Sequence, residues 1–262
     1  MPIVLIAAAF YLLAAWLVVR RLRTDGGARA GFWLLTAVSA VALHGLFHFL
    51  AWRAAAAMDL HFFSALSLVG LGMGALTTLY AATGRMGALG VVVFPVAAAT
   101  LIGYGMSGGS EARDLDWRLE LHAWLALLAY ATLAIAAVLA LMLRLQERAL
   151  RRRQFGNWLR VLPPLTELES LLFRTIWVGF VLLTATLLTG ILFVDDFFAQ
   201  HLIHKSVLSL LSWLVFGALL VGRWRHGWRG AKAVRLTLVA MALLVLAFFG
   251  SKFVLELVLQ RA

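Results

Sequence analysis

The chain has no cysteine, little charge and only four prolines in 262 residues. Without cysteine there are no disulfides, no thiol redox chemistry, no thiolate metal site and no thioether-linked cofactor on this chain. Charged residues make up 13% of it, about half the roughly 25% of an ordinary soluble domain. With 63% hydrophobic residues and a mean hydropathy of +0.94, the chain cannot cover a globule with polar surface, so lipid must be its solvent. A Walker loop, a dinucleotide fingerprint and a Ser/His/Asp arrangement of usable spacing are also missing. Nothing in the sequence offers a bond-making step, and the chain is read as a non-enzyme. The formal charge of +11 suggests nucleic acid only until the charges are located. They sit in short clusters between apolar runs, as membrane-flanking charges do, which excludes a nucleic-acid partner.

What is present is a series of eight apolar segments: Pro2–Val19, Gly31–Ala51, Phe62–Thr83, Gly87–Met106, Leu121–Leu143, Leu171–Val194, Leu202–Val221 and Leu236–Leu257. Each is near the ~20 residues with which a helix crosses ~30 Å of hydrocarbon. Continuous runs without a period of two select helices over barrel strands. The predicted fold is all-α, a polytopic transmembrane bundle of about eight spans forming one membrane domain over residues 1–262. The first segment is expected to stay in the membrane, because its positive charge (Arg20, Arg21, Arg23) follows the apolar run instead of preceding it. Segments three and four, separated by Gly84-Arg85-Met86, are expected to form a tight hairpin. In the longest connection, Pro163-Pro164 stops any helix, and Phe155–Leu162 is expected to lie along the membrane surface with Trp158 at headgroup depth.

The basic residues predict the orientation. Of the 23 Lys and Arg, seventeen fall in the loops read as inner and six in those read as outer. That asymmetry places both termini on the outer, periplasmic side of a bacterial inner membrane.

Ionisable side chains inside spans are expensive and usually functional. Six of the seven histidines (His44, His48, His61, His122, His201, His204) fall in the outer half, and only His226 lies in an inner loop. His44 and His48 are i,i+4, on one helix face, and His201 and His204 are i,i+3. Opposed imidazoles on different helices can hold a b-type haem. Neutral imidazole also binds zinc or copper and relays protons, so the pattern points to a cofactor or metal site before it says which. His61 and His201 equally suit plain interfacial residues, and His226 a solvated one. Arg53, Arg118 and Lys205 are the outer cations nearest the histidines. Gly70 and Gly74 form a GxxxG, most simply a packing face. Thr184, Ser206 and Ser209 are candidate interhelical hydrogen bonders, and Trp52, Trp117 and Trp124 an interfacial belt. Lys252 can snorkel or pair with Glu256. Acidic residues from Glu111 to Glu120, with Asp195 and Asp196, form an outer rim.

Several stretches resemble a known family. Ser170-Leu-Leu-Phe-Arg-Thr-Ile-Trp-Val-Gly-Phe-Val-Leu-Leu-Thr184, with Leu188-Thr-Gly-Ile-Leu192, is similar to the helix before the haem-handling loop of cytochrome c assembly proteins of the CcsA/CcmC type. Ser212-Trp-Leu-Val-Phe216, Arg223 and Gly227-Trp228-Arg229-Gly230 are similar too, and the segment from Leu121-His122 resembles the family helix headed by an outer haem-ligating histidine. The likeness is best over about residues 115–255, and the overall shape resembles the short YpjD/HemX-like branch. It implies non-covalent haem b as cofactor, with His122 and His204 as axial-ligand candidates and His44 or His48 as deeper alternatives. Arg118 and Lys205 would be propionate partners. Implied partners are haem, membrane lipid and other cytochrome assembly proteins. Two departures stand out. The tryptophan-rich WWD signature is absent, the loop reading Asp195-Asp-Phe-Phe-Ala-Gln-His-Leu-Ile-His204, and Gly250-Ser-Lys-Phe253 lacks the second outer histidine. A complete haem-presenting platform of the synthetase type is therefore not expected. The expected function is haem binding in support of cytochrome c or haem-protein assembly. Its rivals are a proton-coupled permease, a b-type cytochrome subunit and a structural subunit without ligand.

Overall fold

The computed structural model describes residues 1–23, 30–55, 57, 59–82, 87–107, 116–153, 164–193 and 200–253, with Ala30 and residues 200–204 described by backbone alone. Eight helices make up the described chain: α1 (Pro2–Arg23), α2 (Ala30–Ala55), α3 (Phe62–Ala82), α4 (Gly87–Ser107), α5 (Trp117–Arg151), α6 (Leu165–Phe193), α7 (Gln200–His226) and α8 (Gly230–Val245). α8 runs on into a π-helical turn, Leu246–Gly250. With α8 counted together with its π turn, as Gly230–Gly250, all eight are long and apolar enough to cross a membrane. This bears out the all-α polytopic fold. The hairpin turn at Gly84–Met86, the surface segment with Trp158, and Glu111, Asp114, Asp195, Asp196 and Glu256 lie outside the described residues.

Most helices outrun the apolar segments that announce them. α5 continues through Arg144, Arg148 and Arg151, and α8 begins six residues before Leu236. Backbone hydrogen bonding does not stop where hydrocarbon does, so a helix extends into the headgroups with no hydropathy signal. α4 also passes through Pro95 without ending.

The described residues divide into two compact units, one built from α1–α4 and the other from α5–α8. In the first, α1 packs on α2 and α4, and α3 on α4 and α2, closing a four-helix bundle. Its interior is made of small side chains: Ala7, Ala8, Ala14 and Ala15 surround Tyr11 on α1, facing Ala37 and Ala40 of α2 and Ala97 and Ala98 of α4. Close backbone approach of this kind is what holds helices together where lipid removes the hydrophobic drive. The GxxxG of α3 serves that approach, because a Cβ at Gly70 would meet Thr100 Oγ1 and one at Gly74 the Tyr11 hydroxyl at 2.8 Å.

The second unit is locked at the α7–α8 hairpin by the residues that carry the family likeness. The chain reverses at Gly227 (φ 64°) and Gly230 (φ 53°), conformations that glycine adopts without penalty. The Trp228 N–H returns to the Gly222 carbonyl at 3.2 Å. Glu169 of α6, with a side chain only 9% exposed, accepts from Arg223 at 3.4 Å and from both Nε and Nη2 of Arg229 at 3.2 and 3.1 Å. Gly222 lets the Trp228 ring lie on α7, since a Cβ there would run into the ring, and Lys232 Nζ sits 3.4 Å from its centre. Gly222→Ala is therefore expected to destabilise the protein by about 1–3 kcal/mol through overpacking. Thermal unfolding in detergent, read by circular dichroism, checks this against Gly45→Ala, where nothing lies within 4 Å.

Candidate functional site

Each unit holds a cluster built around histidine. In the second unit, His122 stands on the second turn of α5 and lines a cavity of about 170 Å³. The cavity is walled by four helices, with Tyr130 from α5, Thr186 from α6, Lys205 and Ser209 from α7, and Phe248 from the π turn of α8. His122 Nδ1 lies 3.1 Å from Thr189 Oγ1. The single Thr189 hydroxyl hydrogen is directed at the carbonyls of Ala185 and Thr186, both at 3.0 Å. With that hydrogen on either carbonyl, the oxygen accepts from the ring, which puts the ring hydrogen on Nδ1 and leaves Nε2 its lone pair. A neutral imidazole held at one nitrogen and left basic at the other is a metal-ligand tautomer.

The π turn belongs to the same wall. Tyr130 donates its hydroxyl hydrogen to the Leu244 carbonyl, just before the turn, and its ring packs against Phe248 and Phe249. A π turn frees a carbonyl from the helical ladder, and Tyr130 takes it up. Trp213 of α7 donates to Thr184 of α6 at 2.8 Å and stacks on Phe180, so Thr184 does bridge helices. Arg118 lies over the rings of Trp117 and Phe193, at 5.6 and 5.9 Å from their centres. His122 and Lys205 thus share one cavity, whereas Arg118 is held by aromatic rings. His204 and His201 are placed on the first turns of α7, their side chains outside the described residues.

The first unit gathers three histidines. His44 is fully buried and uses both ring nitrogens: Nδ1 meets the Tyr11 hydroxyl at 3.2 Å and Nε2 the Ser67 hydroxyl at 2.9 Å. His48 Nε2 reaches the same Ser67 oxygen at 3.0 Å. The His48 ring stacks on Tyr104, centres 4.9 Å apart and planes 8° apart. Tyr104 donates a long bond (3.5 Å) to Asp59 Oδ2, whose Oδ1 binds His61 Nδ1 at 2.7 Å; His61 Nε2 meets Ser107 at 3.1 Å. His61 is thus a bound member of a cluster.

Sequence reasoning passed over Thr189, Ser67, Tyr11, Tyr104 and Asp59. Only Asp59 gave a signal: it and Asp25 are the sole carboxylates among the first 110 residues. Among the described residues, no group of three or more His, Asp or Glu side chains could hold a metal ion.

Comparison with known proteins places these clusters in context. The chain is 38% identical over 137 residues to the inner membrane protein YpjD of Escherichia coli K12, covering 52% of each chain. It is equally 38% identical over 143 residues to an uncharacterized 28.8 kDa protein of Azospirillum brasilense, covering 54% of this chain and 53% of that one. Identity to the cytochrome c biogenesis protein CcsA of Parasynechococcus marenigrum is 26% over 155 residues, 50% of this chain and 51% of the relative. These alignments span about half the length of each relative. The model of the cytochrome C assembly protein family matches residues 30–259. The eight apolar helices fit a multi-pass inner-membrane protein, and the family model, which spans most of the sequence, shows that the chain belongs to the cytochrome c assembly protein family.

Proposed function

We propose that the protein binds non-covalent haem b at the His122 cavity and supports cytochrome c or haem-protein assembly by holding and passing on the haem. The observation that carries this is the His122–Thr189 bond, which leaves Nε2 with a lone pair on a residue lining a four-helix cavity. The donor set fits: an oriented imidazole for the iron and the Lys205 cation for a propionate. At about 170 Å³ the cavity is smaller than the roughly 300–1,000 Å³ of ordinary cofactor pockets, so haem binding requires the helices around it to part. When bound, haem would supply a redox-active iron and a cargo to transfer. The chain's own residues orient the imidazole and keep water from it, and none is assigned a bond-making step.

His204 is the second ligand candidate and Arg118 the second propionate partner. His44 and His48 remain as deeper alternatives; for His44 to ligate iron it must first give up a bond to Tyr11 or Ser67. The orientation with both termini outside places His122 at the periplasmic face, where haem would meet other assembly proteins. The 1–262 chain works in this reading as one membrane domain.

The test is optical. Protein expressed with haem supplied and purified in mild detergent is expected to show a Soret band, and α and β bands on reduction. A colourless protein that also refuses added haem would refute the reading.

A further inference from the structure

A second hollow in the α5–α8 unit lies between α6 and α7 and shares no lining residue with the His122 cavity. It is an open groove of about 960 Å³, floored by the Phe180 ring stacked on Trp213. Its lining is apolar apart from Thr184, which donates to the Phe180 carbonyl and accepts from Trp213 Nε1, both at 2.8 Å. On α6 the lining runs from Trp177 to Leu188, and on α7 from Trp213 to Trp224. Each stretch is about 16 Å of helix, the depth of one leaflet in hydrocarbon ~30 Å thick.

One end of the groove is basic. Arg174 precedes Trp177 by three positions and Val181 by seven, and Arg225 follows Val221 by four and Ala218 by seven. Each arginine therefore continues the face of its helix that lines the groove. Both are exposed, and the Arg225 guanidinium lies 5.9 Å from the centre of the Trp224 ring. The neighbouring Arg223 and Arg229 are engaged by Glu169, whereas among the described residues neither Arg174 nor Arg225 has an ion-pair partner. Trp177 and Trp224, 60% and 81% exposed, stand at the same end, as indoles do at headgroup depth.

We propose that this groove binds an anionic phospholipid, with an acyl chain along Phe180 and Trp213 and the phosphodiester against Arg174 and Arg225. An apolar trough of one leaflet's depth suits a flexible hydrocarbon chain. Guanidiniums without a carboxylate at its mouth suit phosphate oxygens, as basic pockets between membrane helices do. A transmembrane helix fits the groove less well. Helices associate in lipid through close backbone approach over small residues and through interhelical hydrogen bonds. Here the floor is bulky, and the Phe180 ring already stands 3.4 Å from where a Cβ on Gly217 would be. The Thr184 hydrogen is given to a backbone carbonyl and the Trp213 N–H to Thr184, so neither donor is left for a partner helix.

The full chain, purified in a neutral detergent and titrated with phosphatidylglycerol or with phosphatidylcholine of the same acyl chains, tests this by native mass spectrometry. Phosphatidylglycerol is expected to bind about thirtyfold more tightly, the gain that two surface cations give an anionic headgroup. Arg174→Gln combined with Arg225→Gln, both at exposed positions, should erase that preference. Ala185→Phe fills the groove from α6 while both arginines stay, and it should weaken retention of either lipid. Inorganic phosphate should leave the bound lipid in place, because it has no chain to bury. Equal binding of the two lipids by wild type would overturn the proposal, as would a double arginine variant that keeps the preference. So would an Ala185→Phe protein that retains both lipids like wild type, or release of the lipid by phosphate. A dimer without lipid preference that Ala185→Phe dissociates would assign the groove to a second copy of the chain instead.

Discussion

Replacing His122 by alanine is expected to abolish the Soret band of protein purified after expression with haem, and added imidazole should partly restore it. The reason is the tautomer. With Nδ1–H held by Thr189, Nε2 is the basic nitrogen, and among the described residues no other histidine side chain lines that cavity. Thr189→Val keeps the shape and removes the acceptor, so it should leave a weaker site, by about 10–100-fold in haem affinity, as for other partners that orient a ligand. The pair of variants separates ligation from packing: a purely structural His122 would lose thermal stability in both and change no spectrum. An unchanged Soret band in His122→Ala would move the ligand assignment to the other histidines.

The second large effect is on stability. Glu169→Ala should destabilise the protein by ~2 kcal/mol, and Arg229→Ala by roughly half that. The buried carboxylate compensates two guanidiniums at the α7–α8 turn, and removing it takes away the carboxylate that both share. The cost stays below that of a fully buried pair because the Arg223 and Arg229 side chains are 34% and 59% exposed and reach water. The melting temperature should fall by about 4–8 °C for a chain of this size. An Arg229→Ala protein less stable than Glu169→Ala would contradict the account.

The spans were legible because an unbroken apolar run of twenty residues has one physical solution in lipid. Their ends were not, since Arg144–Arg151 and Gly230–Arg235 continue helices with no change of backbone preference. Which helix faces which was also hidden. Thr189 stood in a stretch recognised for its family likeness, yet its bond to His122 joins residues 67 apart. Tyr11 and His44 are separated by 33 positions, and no local periodicity links α1 to α2. His44 stands out in the sequence by its depth and its i,i+4 spacing from His48, and the structure shows it buried with partners at both ring nitrogens, which an imidazole in an apolar run needs. His226 was read as solvated and is exposed on the last turn of α7, beside Trp228. The likeness at Gly227–Gly230 was visible in the sequence, but its use as a clamp on Glu169 was not.

The length of α5 sets it against the thickness of the membrane. Its apolar stretch from Leu121 to Leu143 is 23 residues, about 34 Å of helix against ~30 Å of hydrocarbon. Arg118 at one end and Arg144 at the other anchor it to the headgroups. That excess is taken up by tilt, a kink or local thickening of the bilayer, and it grows as the bilayer thins. His122 stands one turn from Arg118, so the mismatch between helix and bilayer falls within a turn of the imidazole.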